Sequence, residues 1–344
     1  MTKITIFGAG IPGLSTAAIL SSSSSPDKHT ITIAARNLPG DAPRSQDWAS
    51  PWACAGWVAL GGASPREEQM QLDALAYLRT LAVEYPESSV RCVELTDVFG
   101  GELGVAGSVE NRGAVWYKGR VPGFEVLQED TKEGGGEVRV RYGSVVLTPG
   151  VFLVWLRKRL EEGGVRFERI GEVKALGELA YLGHDLLINA SGLASLTLED
   201  VGDEKMVMDR TYVTVVKSEY QGAFVRRGLG VYTYIFGRGD GTAAVGGVSE
   251  PVQNEVKPME EIHEDLFRRA HEYLPEHFSS PNPGDYDIVE DLVGVRPLRP
   301  AGVRVEKEVV NGQKVVHAYG TTIGGYIHSF GLAQEVARLV EEPL

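Results

Sequence analysis

Gly8, Gly10 and Gly13 carry the spacing Gly-x-Gly-x-x-Gly, with Lys3-Ile4-Thr5-Ile6-Phe7 before them and Leu14-Ser15-Thr16-Ala17-Ala18-Ile19-Leu20 after. The first stretch reads as a buried strand and the second, small and apolar, suits a helix. In that setting each glycine has a task. The first makes the tight turn, the second lets backbone approach a pyrophosphate, and the third lets helix pack on strand. The ligand class is a dinucleotide, FAD or NAD(P). An acidic residue commonly ends the second strand and holds a ribose hydroxyl. Here that strand, Thr30-Ile31-Thr32-Ile33-Ala34, runs into Ala35-Arg36-Asn37. The ribose contact is unassigned, and Arg36 keeps a 2′-phosphate, hence NADP, beside FAD.

Other reactive side chains point to bland roles. His263 and His271, with Glu264, are eight residues apart, which skips the i, i+4 pairing of helical metal ligands; a solvated helix is expected and no metal. Cys54 has no His or Arg neighbour in sequence and reads as a small packed residue, not a nucleophile. His317 and His328 read as satisfied structural histidines.

The elements that must position these groups alternate in character. Ser21 to Ser25 with Pro26-Asp27 reads as a polar loop closing the first βαβ unit. Ser64-Pro65-Arg66-Glu67 is an N-cap, a proline and an acid at N3, opening a long amphipathic helix. From about 91 to 145 glycine-broken β segments follow, with an exposed turn at Glu133-Gly134-Gly135-Gly136-Glu137. A helix from Val151 to Leu160 and a strand, Asp185 to Ala190, then return to the first pattern. Strands at Tyr212 to Lys217, Tyr232 to Phe236 and Ala243 to Val248 and a helix from Glu260 to Tyr273 resume the second. A strand at Val315 to Tyr319 and a helix from Gly331 to Val340 close the chain. The expected organisation is two interleaved domains. Residues 1–90, 146–205 and 290–344 form the dinucleotide domain, and 91–145 and 206–289 form the substrate domain.

Bulk properties bound the partners. The 344 residues, 43% apolar and 24% charged, are those of a globular chain with a large core. Lys plus Arg number 34 against 47 Asp plus Glu, a net charge of −13, which disfavours nucleic acid and anionic membrane as partners. No apolar run approaches the roughly 18 residues that span a bilayer, and mean hydropathy is −0.11. Two cysteines make no disulfide framework or structural zinc site, so a reducing intracellular compartment is expected.

Five blocks taken together resemble the D-amino-acid oxidase family, in its fungal branch. They are the glycine fingerprint, Trp48 to Trp57, Ile188 to Leu193, Gly294-Val295-Arg296-Pro297-Leu298-Arg299, and His317 to Gly320 with Gly324-Gly325-Tyr326. The resemblance implies an α/β fold in which a Rossmann-like FAD-binding domain interleaves with an α+β substrate domain on a mostly antiparallel sheet. It further implies non-covalent FAD and oxidation of a D-amino acid to an imino acid, with O2 reduced to H2O2. The α-hydrogen would leave as hydride toward flavin N5, so no catalytic base is required. A homodimer is the family expectation. So is a peroxisome, although the C-terminus Glu341-Glu342-Pro343-Leu344 is not of Ser-Lys-Leu type, which leaves the cytoplasm as the other expectation.

The resemblance also assigns residues. It places the substrate-carboxylate arginine on Arg299, whose planar guanidinium would take an α-carboxylate bidentately. It places the active-site tyrosine on Tyr234, with Tyr232 turned to the other face of the strand. Ile323 would reshape the pocket, and Ser249 would stand where yeast members carry a second tyrosine. Arg227 would match a basic position of D-aspartate oxidase, on a loop where arginines are usually solvated. A neutral side-chain preference is therefore expected, with D-aspartate, glycine or sarcosine oxidation as the alternative. Cofactor contacts are implied at Gly8, Gly10, Ile11, Gly13, Arg36, Ala49, Ser50, Cys54, Ala55, Gly56, Val173, Ser191, Gly192, Arg299, Gly324, Gly325 and Tyr326. Arg210-Thr211-Tyr212 departs from the family pattern without an evident reading.

Overall fold

The computed structural model describes residues 1–22, 29–42, 44–100, 115–130, 136–228 and 231–342. Most of the expected serine loop and the glycine turn at 133–135 lie outside them. In chain order the strands of the first half are β1 (Thr2–Phe7), β2 (His29–Ala35), β3 (Arg91–Gly100), β4 (Glu125–Asp130), β5 (Glu137–Val146), β6 (Arg166–Arg169) and β7 (Leu186–Asn189). Those of the second are β8 (Val207–Lys217), β9 (Ala223–Gly228), β10 (Val231–Gly237), β11 (Thr242–Pro251), β12 (Ile288–Leu298), β13 (Arg304–Val310) and β14 (Gln313–Tyr319). The described helices are α1 (Ile11–Ser21), α2 (Pro65–Glu84), α3 (Pro149–Glu162), α4 (Met259–Tyr273) and α5 (Gly325–Glu341).

Two sheets result. The six-stranded one runs β13-β14-β7-β1-β2-β6, parallel except where β13 pairs β14. Of its central strands β7 is buried throughout and β1 from Ile4 to Phe7, as a parallel sheet covered on both faces requires. The eight-stranded sheet runs β12-β8-β11-β10-β9-β3-β5-β4 and is antiparallel except for β3 on β9. The chain passes between the sheets repeatedly. β12 belongs to the second sheet, so the sequence boundary at 290 falls inside a strand.

The capping box at Ser64 and Glu67 forms as its residue types predict. Glu67 also accepts from Val303 N at 2.7 Å, so the cap of α2 anchors the loop after β12. α5 starts at Gly325, six residues before the expected Gly331. Gly331 instead sits where α5 crosses α2, and a Cβ there would overlap the Met70 backbone. α4 buries Ile262, Leu266, Phe267 and Ala270 against the second sheet. Its histidines are not solvated as expected. His263 Nε2 bonds Asp291 at 2.9 Å and His271 Nδ1 bonds the Phe278 carbonyl at 2.8 Å, tethering the helix at both ends. Arg210 and Tyr212, the unexplained departure, converge on the buried Glu250, with the Tyr212 hydroxyl donating at 2.6 Å.

Candidate active site

A cavity of about 500 Å³ runs from the glycine turn after β1 to the aromatic face of β10. It opens at the carboxyl ends of β1, β2, β7 and β14, where a parallel sheet binds its ligands. Gly8 has φ +116°, and a Cβ on it would overlap the Ala190 carbonyl at the end of β7. A Cβ on Gly13 would overlap the Gly8 carbonyl. At Gly10 a Cβ would stand 3.1 Å from Ser50 Oγ and 3.7 Å from Trp48 Nε1, occupying the approach to the start of α1. These are the three roles the spacing demands.

Donors converge on that approach. Ile11 N donates to Ser50 Oγ at 2.9 Å. Trp48 Nε1 is buried and has no hydrogen-bond partner, a state that a bound acceptor relieves. A second helix start points at the same cavity, since Gly325, Tyr326 and Ile327 of α5 line it and Tyr326 Oη donates to the Ser50 carbonyl at 2.9 Å. Two helix N-termini and an orphaned indole donor fit an anionic dinucleotide.

The far end is built by the second sheet. Tyr232, Tyr234 and Phe236 of β10 line the cavity in a row, Tyr232 edge-on to Tyr234 at 5.5 Å and Phe236 stacked on it at 5.4 Å. Residues two apart on a strand share a face, so Tyr232 is not turned away; Thr233 is, buried against Arg269. Gly56 makes room for this row, because a Cβ there would overlap the Phe236 ring. A Cβ on Gly246 or Gly247 of β11 would overlap the Tyr234 ring, so the glycine pair forms the surface on which the phenol rests. Burial pushes the Tyr234 phenol well above its ordinary pKa, with Cys54 adding to the shift and Arg296 opposing it. Tyr232 is raised by burial too. Both phenols are therefore neutral donors.

The arginine is corrected. Arg299 does not line the cavity: it lies just past the end of β12, 9% exposed, with Nε on Asp203 at 2.9 Å and Nη1 on the Gly302 carbonyl at 2.8 Å. Burial pushes Asp203 up, but Arg299 and the Tyr319 hydroxyl, donating at 2.9 Å, hold it below the usual carboxylate range. Arg296 lines the cavity instead. β12 is an edge strand, which accommodates Pro297, and strand alternation turns Gly294 and Arg296 to one face. Arg296 Nη2 reaches Asp209 at 3.3 Å, while its Nε is buried with no partner.

Two further assignments fail. Arg227 lies on β9, not a solvated loop, and forks onto Asp97 with Nε–Oδ1 2.9 Å and Nη2–Oδ2 2.8 Å. Asp97 is fully buried and also accepts from Tyr117 at 3.0 Å and Tyr142 at 3.3 Å. Burial opposes the Arg227 charge, and Asp97 together with Tyr232, Tyr117 and Tyr142 more than compensates. Ser249 is exposed and off the cavity; a register shift between Gly246 and Val248 reverses the alternation of β11 beyond it.

Among the other assigned residues, Gly8, Gly10, Ile11, Arg36, Ala49, Ser50, Cys54, Ala55, Gly56, Val173, Ser191, Gly192, Gly325, Tyr326, Tyr234 and Ile323 line the cavity. Gly13 and Gly324 stand behind it as packing positions, Gly324 against His328 and Leu60. Burial pushes the Cys54 thiol up to about 12, so it is a packed thiol as its neighbours in sequence suggest. His317 is fully buried between Asn189 and Glu308. Sequence reasoning missed Arg296 and Tyr232, whose signal was period two along β12 and β10. It also missed Trp48, although that residue opens the Trp48 to Trp57 block, and Asp47, for which sequence held no signal.

A doubly wound dinucleotide domain joined to an antiparallel sheet with a tyrosine-lined, arginine-bearing pocket defines a two-domain dinucleotide-dependent enzyme. Residues 3–339 match the DAO model, FAD-dependent oxidoreductase, and the chain belongs to that family. FAD is its cofactor. The chain is 32% identical to a D-aspartate oxidase of Talaromyces thermophilus, covering 98% of this chain and 95% of the relative. It is 29% identical to a D-amino-acid oxidase of Schizosaccharomyces pombe, covering 98% and 95%. The fold is shared with glycine oxidase from Geobacillus kaustophilus, TM-score 0.72 at 16% identity over 99% of this chain and 95% of that one.

Proposed function

We propose that the protein oxidises D-amino acids with neutral side chains, taking the α-carboxylate on Arg296 with help from the hydroxyls of Tyr234 and Tyr232. The observation that carries this reading is the unpartnered, buried Nε of Arg296 beside two neutral phenols at the far end of the dinucleotide cavity. Buried donors without acceptors favour a ligand that supplies them, and a carboxylate matches a guanidinium fork. When bound, FAD would supply the acceptor for the α-hydrogen leaving as hydride, which carries both electrons of the oxidation to the imino acid; those two electrons would pass to O2, which takes up two protons to give H2O2.

The chain's own part is positioning. Arg296 and the tyrosines fix the carboxylate and so the face of the α-carbon presented to the first domain. The phenols, held neutral by burial, donate and do not abstract a proton. Among the described residues the lining carboxylates are Asp47 and Glu172, both beside the β2 end, while Asp209, at the substrate end, pairs with Arg296 and does not line the cavity. The N-terminal turn of α5 contributes a positive end where charge develops on reduction.

The neutral preference rests on the locking of Arg227 by Asp97, which leaves Arg296 as the cation at the substrate end among the described residues. A second reading, D-aspartate oxidation, is favoured by the relatives that carry that name. H2O2 release by the FAD-loaded protein with D-alanine, D-valine, D-phenylalanine, D-lysine, D-aspartate, glycine, sarcosine and the L-isomers separates them. Turnover of neutral D-isomers supports the first reading and turnover of D-aspartate alone the second; silence across the panel in a flavin-loaded protein refutes both.

A further inference from the structure

The end of β2 supplies no carboxylate for a ribose, yet the cavity wall beside it holds one. Asp47 comes from the loop after β2 and lines the cavity together with Arg36 and Asn37. Its Oδ2 accepts from Arg36 Nη2 at 2.8 Å, and its backbone N–H donates to Ser45 Oγ at 3.2 Å. The pair is placed by two chain segments that the fold brings together at the carboxyl end of β2, where an acid within the strand would otherwise stand. Glu172, after β6, lines the same wall but makes no hydrogen bond or ion pair with the described residues. Asp47 is therefore the oriented carboxylate and Glu172 an unanchored one.

The pairing also bears on cofactor choice. A free Arg36 would suit a 2′-phosphate, whereas an Arg36 matched to Asp47 presents a carboxylate that repels one and accepts from a hydroxyl. We propose that Asp47, oriented by Arg36, accepts a hydrogen bond from the adenosine ribose 2′-hydroxyl of FAD, a contact that the β2 terminus of this chain does not provide. The inference rests on FAD as cofactor and is independent of the amino acid oxidised.

The test uses apoprotein and displacement of FAD, followed by flavin fluorescence, with ADP and 2′-deoxy-ADP as competitors. The wild-type protein is expected to bind ADP about tenfold more tightly than its 2′-deoxy analogue, the scale of one hydrogen bond to a charged group. Asp47→Ala should weaken ADP and FAD about tenfold, leave 2′-deoxy-ADP unchanged and so abolish the discrimination. Glu172→Gln should preserve it. The Asp47 side chain is 67% exposed, so the variant retains the fold, checked by near-UV circular dichroism. The proposal is overturned if the wild type does not distinguish the two competitors. Equal weakening of both by Asp47→Ala overturns it, as does loss of the discrimination in Glu172→Gln.

Discussion

Replacing Arg296 by lysine keeps a positive charge on the cavity wall but removes the planar fork. In the protein one guanidinium nitrogen reaches Asp209 at 3.3 Å, and the buried Nε awaits an acceptor. A lysine ammonium follows Asp209 and leaves the substrate carboxylate one charge-assisted hydrogen bond short. Such a bond contributes about 1.5–3 kcal/mol, and about 1.36 kcal/mol is a decade in rate. kcat/KM for a neutral D-amino acid should then fall between about tenfold and about 150-fold in Arg296→Lys. Arg299 is the internal comparison. Its side chain and that of Asp203 are 10% and 5% exposed, so Arg299→Met breaks a buried pair and should cost about 3–5 kcal/mol of stability. kcat/KM of its folded, flavin-bound fraction should stay at the wild-type value. H2O2 release normalised to bound flavin absorbance measures the first quantity and urea denaturation the second. If the folded, flavin-bound fraction of Arg299→Met loses kcat/KM while Arg296→Lys leaves it intact, the placement argument is refuted.

Asp97→Asn leaves Arg227 buried beside a neutral amide and should cost about 3–5 kcal/mol in urea denaturation; a loss under about 1 kcal/mol would mean the pair is not desolvated in solution. Burial lowers the pKa of His184, His317 and His328. The unfolded chain therefore takes up protons near pH 6.5 before the folded one, and stability, full above that pH, declines as pH falls through it. Asp203, held below the usual range, loses its contribution only below about pH 4. Equal urea midpoints at pH 7.5 and 5.5 would contradict the histidine part. Cys92 is exposed and Cys54 buried with its thiol at about 12, so iodoacetamide at pH 8 should label Cys92 alone until urea is added, as mass spectrometry will show.

The dinucleotide turn was legible because its determinants are local. Gly8, Gly10 and Gly13 act within six residues, and a strand before and a helix after are readable from composition. The cap of α2 was legible for the same reason, its donor and acceptor lying three residues apart. Of the substrate-end residues that the resemblance implies, Tyr234 and Ile323 line the cavity, whereas Arg299, Arg227 and Ser249 do not. Arg296 and Arg299 are three residues apart in one motif, and the choice between them depends on where β12 stops pairing with β8, at Leu298 against Val207. Tyr232 follows from strand period alone and was open to a stricter reading of it.

Sequence by itself determined the class of ligand and the general layout, since helix starts, tight turns and alternating strands are short-range consequences of residue type. Only the tertiary structure decided which charges are free. Arg227 meets Asp97 across 130 residues, Arg299 meets Asp203 across 96, and Arg36 meets Asp47 across a loop. A guanidinium is available to a ligand only if no buried carboxylate has claimed it, and that is settled by chain segments whose meeting no local pattern records.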